Sequence, residues 1–264
     1  MGKINTAFDL IKEIDLIHEL SVVLYADSFF YGLWSENEVL IKTDNHSLEN
    51  LEKLMKIWNH NYDLQMVRIM STAKPYVHLA EGDYKKKYFD DYFKGLYPTW
   101  KVKGKAKEKD VFVKEPINTL HYFEPHFMDQ LKGFDFPFKT SHISTALGNY
   151  AYLIEERIVS HISNNILHIS CYKNGSFKFY NQFYCEQAED FLYYYLLVLQ
   201  EFDLDPSKAT ICIGGEIMEE SKLMTLLKAY VNKIKLVDKN LKLKRSVNHS
   251  THLYYDLYLC KSCV

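Results

Sequence analysis

The spacing of apolar residues predicts three short strands, a helix and a further strand in the first quarter of the chain. The runs LSVVLYADS, FFYGLW and EVLIKTD, between residues 20 and 44, have the length and composition of strands. The segment SLENLEKLMKIWNHN then places five apolar residues on one face of a helix: Leu48, Leu51, Leu54, Met55 and Trp58. The run YDLQMVRIM predicts a strand that ends at Met70, and a helix is expected before residue 20.

The second half of the chain repeats this order of elements. The runs NNILHISCY and SFKFYNQFYC predict two strands joined by the hairpin turn KNG. The helix EQAEDFLYYYLLVLQEF is expected to bury Ala188, Phe191, Leu192, Tyr195, Leu196, Leu199 and Phe202. The strand ATICIGG follows Pro206, and the next helix is expected to bury Leu223, Leu226, Leu227, Tyr230, Val231 and Ile234. Strands, helix and strand in this order, twice, predict an α/β fold of two related lobes.

The segment between the two repeats is less regular. It contains a polar helix around YKKKYFDDYF, a lysine-rich ribbon, and four prolines: Pro98, Pro116, Pro125 and Pro137. We therefore predict a first lobe at residues 1–160, with an insertion at about 72–157, and a second lobe at residues 161–264.

Composition and charge narrow the class of protein. Hydrophobic residues make up 47% of the 264 residues and charged residues 25%, which is typical of a folded globular protein. The net charge of −2 gives no overall attraction to nucleic acid, so no nucleic acid partner is expected. The five scattered cysteines suit a reducing compartment. The strongly apolar run FLYYYLLVL has about half of the ~20 residues that a membrane span needs. These features predict a cytoplasmic protein without a membrane span.

The stretch ATICIGGEIMEES contains the only adjacent glycines in the chain, Gly214 and Gly215, followed by Glu216. This pattern resembles the actin-like ATPase superfamily, in which an apolar strand ending in two glycines passes beneath the adenosine. A Cβ at such a position would collide with a nucleotide. The resemblance implies two ribonuclease-H-like lobes in an actin-like ATPase arrangement, with Gly214, Gly215 and Glu216 as nucleotide-binding candidates and ATP with Mg²⁺ as the ligand.

Two further segments extend the resemblance over most of the chain. The pattern YNQFYCEQAEDFLYYYLLVLQEFDLDPSKATICIGGEI, together with FPF…SH and the C-terminal HLYYDLYLC, is similar to an uncharacterised bacterial family with an actin-like fold. These motifs specify the fold and carry little information about chemistry.

Both phosphate loops of the superfamily have the form Asp-x-Gly-(Thr/Ser), and the chain departs from this form. In the first lobe Asp27 and Ser28 are present, but Phe29 replaces the glycine and Phe30 follows it. We place the second turn in ILHISCYKNGSF, which has no aspartate at the strand end. Gly175 comes too late in this segment to form the turn, and none of the other nine glycines falls in either turn. The resemblance therefore leaves Asp27 and Ser28 as binding candidates without a catalytic residue.

Three functions follow from these observations. The first is a non-catalytic or weakly nucleotide-binding adaptor or assembly protein, a pseudo-ATPase, with an unidentified protein partner. The second is an ATP-dependent small-molecule kinase or ATPase with atypical phosphate contacts. The third is a metal-dependent nuclease on a ribonuclease-H-like core, for which Asp27 is the only acid placed at a strand end. The missing glycines favour the first function, which is not an enzyme.

Two other patterns offer candidate chemistry. His249, His252, Cys260 and Cys263 are zinc-ligand types, but a single Cys-x-x-Cys pair is a weak signal, so no metal site is predicted. Lysines alternate at positions 101, 103, 105, 107 and 109, which would place their ammonium groups on one face of an extended strand. A phosphate-binding ribbon and a charged edge strand both explain this pattern, and the near-neutral net charge favours the edge strand.

Overall fold

A computed structural model describes residues 17–100, 105–123, 125–152, 157–237, 242–243 and 250–262. The strands in chain order are β1 Ile17–Leu24, β2 Ser28–Ser35, β3 Val39–Ser47, β4 Met66–Ser71, β5 Tyr76–Ala80, β6 Ala106–Val111, β7 Ile117–Phe123, β8 Phe138–His142, β9 Arg157–Ser163, β10 Ile166–Lys173, β11 Ser176–Tyr184, β12 Thr210–Gly215, β13 Lys233–Leu236 and β14 Lys242–Leu243. The helices are α1 Leu51–Asn61, α2 Asp91–Lys94, α3 Pro125–Lys132, α4 Ile143–Tyr152, α5 Ala188–Glu201, α6 Lys222–Tyr230 and α7 Tyr255–Ser262. The N-terminal helix expected before residue 20 lies outside the described residues.

The two larger sheets share one strand order. The first runs β14-β3-β2-β1-β4-β8, and the second runs β11-β10-β9-β12-β13. In each sheet an antiparallel meander of three strands is followed by parallel strands beside the first strand of the meander. The repeat predicted from sequence is therefore present in the pairing of the strands.

The strand β9 is the element that the apolar pattern did not reveal. Its buried residues include Ser160, His161 and Ser163, which are polar and interrupt the hydrophobic run. Because β9 opens the second meander, β10 is its second strand and β11 its third. The end of the predicted helix around Ile234 is also a strand, β13, which pairs with β12 in parallel.

Helices cover both faces of the two sheets. Leu51, Met55 and Trp58 of α1 pack with α3 on the outer face of the first sheet. The helices α5 and α6 cover the outer face of the second sheet. Between the sheets, α4 and α7 share one hydrophobic core with residues of both, including Val23 and Cys212. None of the helices in the described residues is long and apolar enough to cross a membrane.

A third sheet, β5-β7-β6, lies within the predicted insertion at about 72–157. It packs on Phe89 and Phe93 in a small core of its own. The same range also contains β8, which belongs to the first sheet, and α4, which belongs to the central layer. The expected polar helix is reduced to the short α2 and a turn at Lys86–Tyr88.

The boundaries predicted for the two lobes do not coincide with the division of the chain between the two sheets. The predicted boundary at residue 160 falls inside β9, because this strand already pairs from Arg157. The predicted second lobe, residues 161–264, contains elements that belong with the first sheet. The strand β14 pairs with β3 of that sheet, and α7 contacts β1 and β4. The C-terminal part of the chain thus returns to the first sheet, and the division into lobes stays a prediction.

Candidate functional site

Two hairpins occupy equivalent positions in the repeated sheets. The β1–β2 turn contains Tyr25, Ala26 and Asp27, and the β9–β10 turn contains Asn164 and Asn165. Both asparagines have a positive φ, 48° and 61°, a conformation that asparagine adopts more readily than most residues. The second turn predicted within ILHISCYKNGSF is wrong, because that segment is the β10–β11 hairpin, one strand too late.

A cavity of about 160 Å³ lies between these hairpins. Its lining includes Tyr25 and Phe30 of the first sheet, His161 and Ser163 of β9, Gly215 and Glu216 after β12, and Tyr254 and Asp256 of the C-terminal segment. Pockets that hold a drug-sized ligand have about 300–1,000 Å³. The cavity therefore has room only for a much smaller molecule.

The glycine pair is explained by contacts within the chain. A Cβ at Gly214 would lie 2.2 Å from Cδ1 of Tyr255, because this ring packs directly on the glycine. Gly215 has a φ of +92°, and a Cβ there would lie 2.1 Å from the carbonyl oxygen of Ile162. Both positions need glycine for close packing of the C-terminal helix and of β9.

Glu216 closes the second hairpin. Its backbone N–H donates to the carbonyl oxygen of Ile162 at 2.8 Å. Its carboxylate Oε2 accepts a hydrogen bond from the backbone N–H of Asn164 at 2.9 Å. Backbone amides of a turn are the groups that commonly bind phosphate oxygens. Here a carboxylate of the same chain already occupies one of them.

The structure places Asp27 and Ser28 at the tip of the first hairpin and outside the cavity lining. The Asp27 side chain is exposed and accepts a hydrogen bond from Ser28 Oγ at 3.1 Å. Phe29, which replaces the glycine of the phosphate loop and could therefore be expected to obstruct a phosphate, does not enter the cavity, because its ring is buried on the opposite face of the sheet against Trp58. Phe30 does face the cavity and stacks on Tyr254 with ring centroids 6.2 Å apart.

A buried acid of the C-terminal helix, Asp256, accepts a hydrogen bond from the first hairpin. The Tyr25 hydroxyl donates a hydrogen bond to Asp256 Oδ2, and the backbone N–H of Leu257 donates to Oδ1 at 2.8 Å. Burial raises the pKa of the Asp256 carboxyl from 3.8 to about 6. The sequence signal was an aspartate in the apolar run HLYYDLYL, which reasoning from motifs did not single out.

His161 lies beside this acid, with Nε2 3.9 Å from Asp256 Oδ2. Burial lowers the pKa of the His161 imidazole to about 4, so the ring is neutral near pH 7. At 3.9 Å the two atoms are too far apart for a hydrogen bond. Among the described residues, neither ring nitrogen of His161 has a hydrogen-bond partner.

A second cavity, of about 280 Å³, lies on the other side of Tyr25, between the first sheet and the small sheet. Its walls are mainly apolar, with Leu51, Trp100 and Phe123 among them. None of the residues predicted to bind a nucleotide lines it.

The candidate zinc ligands have structural roles where they are described. His252 Nε2 lies 2.8 Å from the carbonyl oxygen of Ile217, and Cys260 is buried against the carbonyl oxygens of Val22 and Arg68. His249 and Cys263 lie outside the described residues. Within the described ranges, no group of three or more His, Cys, Asp or Glu side chains could hold a metal ion. The nuclease alternative, which needs such a group of acids, is not supported.

The alternating lysines are only partly described. Residues 101–104 lie outside the described ranges. Lys107 and Lys109 share the exposed face of β6, an edge strand of the small sheet. Lys107 pairs with Asp90 at 2.9 Å. This arrangement corresponds to a charged edge strand.

The repeated strand order and the cleft between equivalent hairpins define an actin-like ATPase fold. The structure is similar to that of a Bacteroides thetaiotaomicron protein with an actin-like ATPase fold and unknown function, with a TM-score of 0.67 and 17% identity over 98% of this chain and 99% of that chain. It is also similar to a structure of the PilM–PilN type IV pilus biogenesis complex, with a TM-score of 0.57 and 9% identity over 92% and 97% of the two chains. The fold predicted from the glycine pair is thereby confirmed.

A family model described as "Protein of unknown function (DUF3822)" matches residues 18–234. The chain belongs to this family. No curated protein matches the sequence.

Proposed function

We propose that this protein is a non-catalytic adaptor or assembly protein of the cytoplasm, with an actin-like fold whose cleft does not accept ATP. The observation that carries this proposal is the packing of Tyr255 on Gly214. In the superfamily that the sequence resembles, the adenosine lies over this glycine pair. In this chain the ring of Tyr255, on the C-terminal helix, packs directly on the first of these glycines, which supports the proposal.

The charges around the cavity support the same proposal. Asp256 and Glu216 both line it, and no lysine or arginine of the described ranges does. A triphosphate would meet carboxylates of its own charge, and the Asn164 amide that could bind a phosphate oxygen already binds Glu216. The cavity of about 160 Å³ is also too small for a nucleotide. Carboxylates are ligands of Mg²⁺, but among the described residues no group of three or more acids, His or Cys is placed to hold an ion, which also argues against ATP with Mg²⁺.

An adaptor needs an exposed contact surface. The segment between β5 and β6 carries Tyr88, Leu96 and Trp100, which are 43%, 65% and 38% exposed. Exposed apolar residues that form a contiguous patch mark protein contact sites. The pilus biogenesis complex that contains PilM gives a precedent for this fold in an assembly role. We propose that these three residues contact the protein partner.

Calorimetric titration with ATP and Mg²⁺ should therefore give no saturable heat at millimolar nucleotide, and an assay of phosphate release should give no turnover. The Asp27→Ala variant, which changes an exposed acid outside the cavity, should behave identically. Measurable turnover in the wild-type protein that is lost in Asp27→Ala would contradict the proposal and favour the kinase or ATPase alternative.

A further inference from the structure

The cavity between the hairpins has a composition that suits a positive charge. The carboxyl groups of Asp256 and Glu216 line it, and so do the aromatic rings of Tyr25, Phe30 and Tyr254. Aromatic faces attract cations, most strongly where water is excluded. Its lining also includes Glu216, which is exposed, so the cavity reaches the surface there.

His161 supplies the second, independent observation. Its side chain is 1% exposed and lines the cavity, and neither ring nitrogen has a partner among the described residues. Buried polar groups in folded proteins are nearly always hydrogen-bonded, so such a group calls for an explanation. A neutral imidazole has one nitrogen that accepts a hydrogen bond, and an ammonium group is a matching donor.

We propose that this cavity binds a compact organic cation, of the class of small primary amines. The ammonium group donates hydrogen bonds to the carboxylates of Asp256 and Glu216 and to the unprotonated nitrogen of His161. The carbon atoms of the amine pack against Phe30 and Tyr254. The size of the cavity, about 160 Å³, limits the ligand to a few heavy atoms. The inference goes beyond the proposed function, since it assigns a ligand to a cleft that does not accept ATP.

Binding should depend on pH through the groups that face the cavity, namely Asp256, Glu216, His161 and Tyr25. The Asp256 carboxyl has a pKa of about 6, so it is mainly ionised at pH 8 and mainly protonated at pH 5. A cation that needs the ionised form should bind roughly tenfold more weakly at pH 5 than at pH 8. His161 and Tyr25 keep their neutral forms over this range, because burial lowers the pKa of the first and raises that of the second.

The test is a nuclear magnetic resonance titration of the full chain with ethylammonium chloride at constant ionic strength. Saturable shifts are expected in the ring signals of His161, Phe30 and Tyr254, with a dissociation constant in the millimolar range typical of so small a ligand. Ethanol, a neutral molecule of similar shape, and acetate should give no saturable shift. A second titration uses Nα-acetyl-lysine amide, which represents a lysine side chain of a partner protein. Comparing the two titrations distinguishes a free amine from such a lysine, and binding of either compound supports the ammonium class.

Variants separate the charge from the shape of the site. Asp256→Asn keeps an acceptor for the Tyr25 hydroxyl and should weaken ethylammonium binding at least tenfold. Glu216→Gln changes an exposed side chain and should also weaken ethylammonium binding. This variant provides the test if Asp256→Asn fails to fold. Asp27→Asn is the matched control, because this acid lies outside the cavity, and it should bind as the wild type does.

Three results would overturn the inference: no saturable shift with ethylammonium, unchanged binding in both Asp256→Asn and Glu216→Gln, or tighter binding of acetate, phosphate or Mg²⁺ than of ethylammonium. The absence of both ammonium and ATP binding would count against this inference alone. Binding of ATP would count against the proposed function.

Discussion

Alanine at Gly215 should destabilise the protein by about 2–5 kcal/mol, because the substitution combines backbone strain with overpacking, and alanine at Gly214 should cost a similar amount through overpacking alone. At Gly215 the backbone has a φ of +92°, and the new Cβ would lie 2.1 Å from the Ile162 carbonyl oxygen, a backbone atom that cannot move aside. At Gly214 the Cβ would lie 2.2 Å from the Tyr255 ring. Urea unfolding followed by circular dichroism measures both changes.

Two controls test whether packing is the cause. Gly82→Ala should change stability little, since a Cβ there meets nothing within 4 Å. The cost of Gly214→Ala should fall in a Tyr255→Ala background, because most of the contacts come from that ring. If both glycine variants unfold like the wild type and instead change nucleotide binding, the pair serves a nucleotide and our interpretation of it is wrong.

The glycine pair illustrates what the sequence could and could not provide. Its position after an apolar strand, together with the repeated order of strands, helix and strand, was sufficient to predict the actin-like fold. Its contacts could not be predicted, because Tyr255 lies far along the chain in a segment whose docking depends on the whole central layer. A sequence motif can indicate that a position needs glycine. Which group packs against that glycine depends on the tertiary structure.

Phe29 and Phe30, which follow Asp27, also show a limit of prediction from sequence, in this case between neighbouring residues of one strand. Neighbouring residues on a strand point to opposite faces, so only one of Phe29 and Phe30 could face the cleft. The register that decides between them is fixed by the burial of Phe29 against Trp58 of α1. The strand itself was predictable from its composition, whereas the face required knowledge of the packed helix.

Polar residues in the core account for the missed strand and for much of the missed site. β9 contains Ser160 and His161, which are 0% and 1% exposed, and a search for apolar runs passes over such residues. Because β9 has no apolar pattern, the sequence places the second hairpin at the β10–β11 turn, one strand later than the equivalent β9–β10 turn. From the sequence His161 is therefore interpreted as a core or loop histidine, and neither it nor Ser163 stands out as a cavity residue. Buried polar side chains are uncommon, and His161, Ser163 and Asp256 are buried polar residues that line the candidate site.

Stability should fall steeply as the pH is lowered from 7 to 5, because several histidines are buried in the neutral form. Burial lowers the pKa of His78 and His161 to about 4, and it holds the pKa values of His142 and His168 well below 6.5. The unfolded chain takes up these protons near pH 6.5, while in the native state His78 and His161 take theirs up only near pH 4. Native protein therefore binds fewer protons in this window, and stability is lost as the pH falls through it.

The expected size of this loss follows from the pKa values of His78 and His161, both about 4 in the native state. Each of His78 and His161 should cost roughly 2 kcal/mol between pH 7 and pH 5. Asp256 acts in the opposite direction, because its native pKa of about 6 lies above the unfolded value, so the native state gains a proton first. This gain offsets about 1 kcal/mol over the same range. The net loss for these three groups is about 2–3 kcal/mol, and His142 and His168 increase it.

Urea unfolding at pH 7, 6 and 5 measures this loss directly. His78→Gln, which keeps a polar group near the Ser144 hydroxyl that contacts His78 at 3.0 Å, should flatten the dependence on pH. His60→Gln, at an exposed position of α1, should leave the dependence as it is in the wild type. A free energy of unfolding that stays constant or rises between pH 7 and pH 5 would mean that the buried imidazoles are reached by water or already charged. In that case the assignment of His161 as neutral would be wrong, and so would the proposed amine site that depends on it.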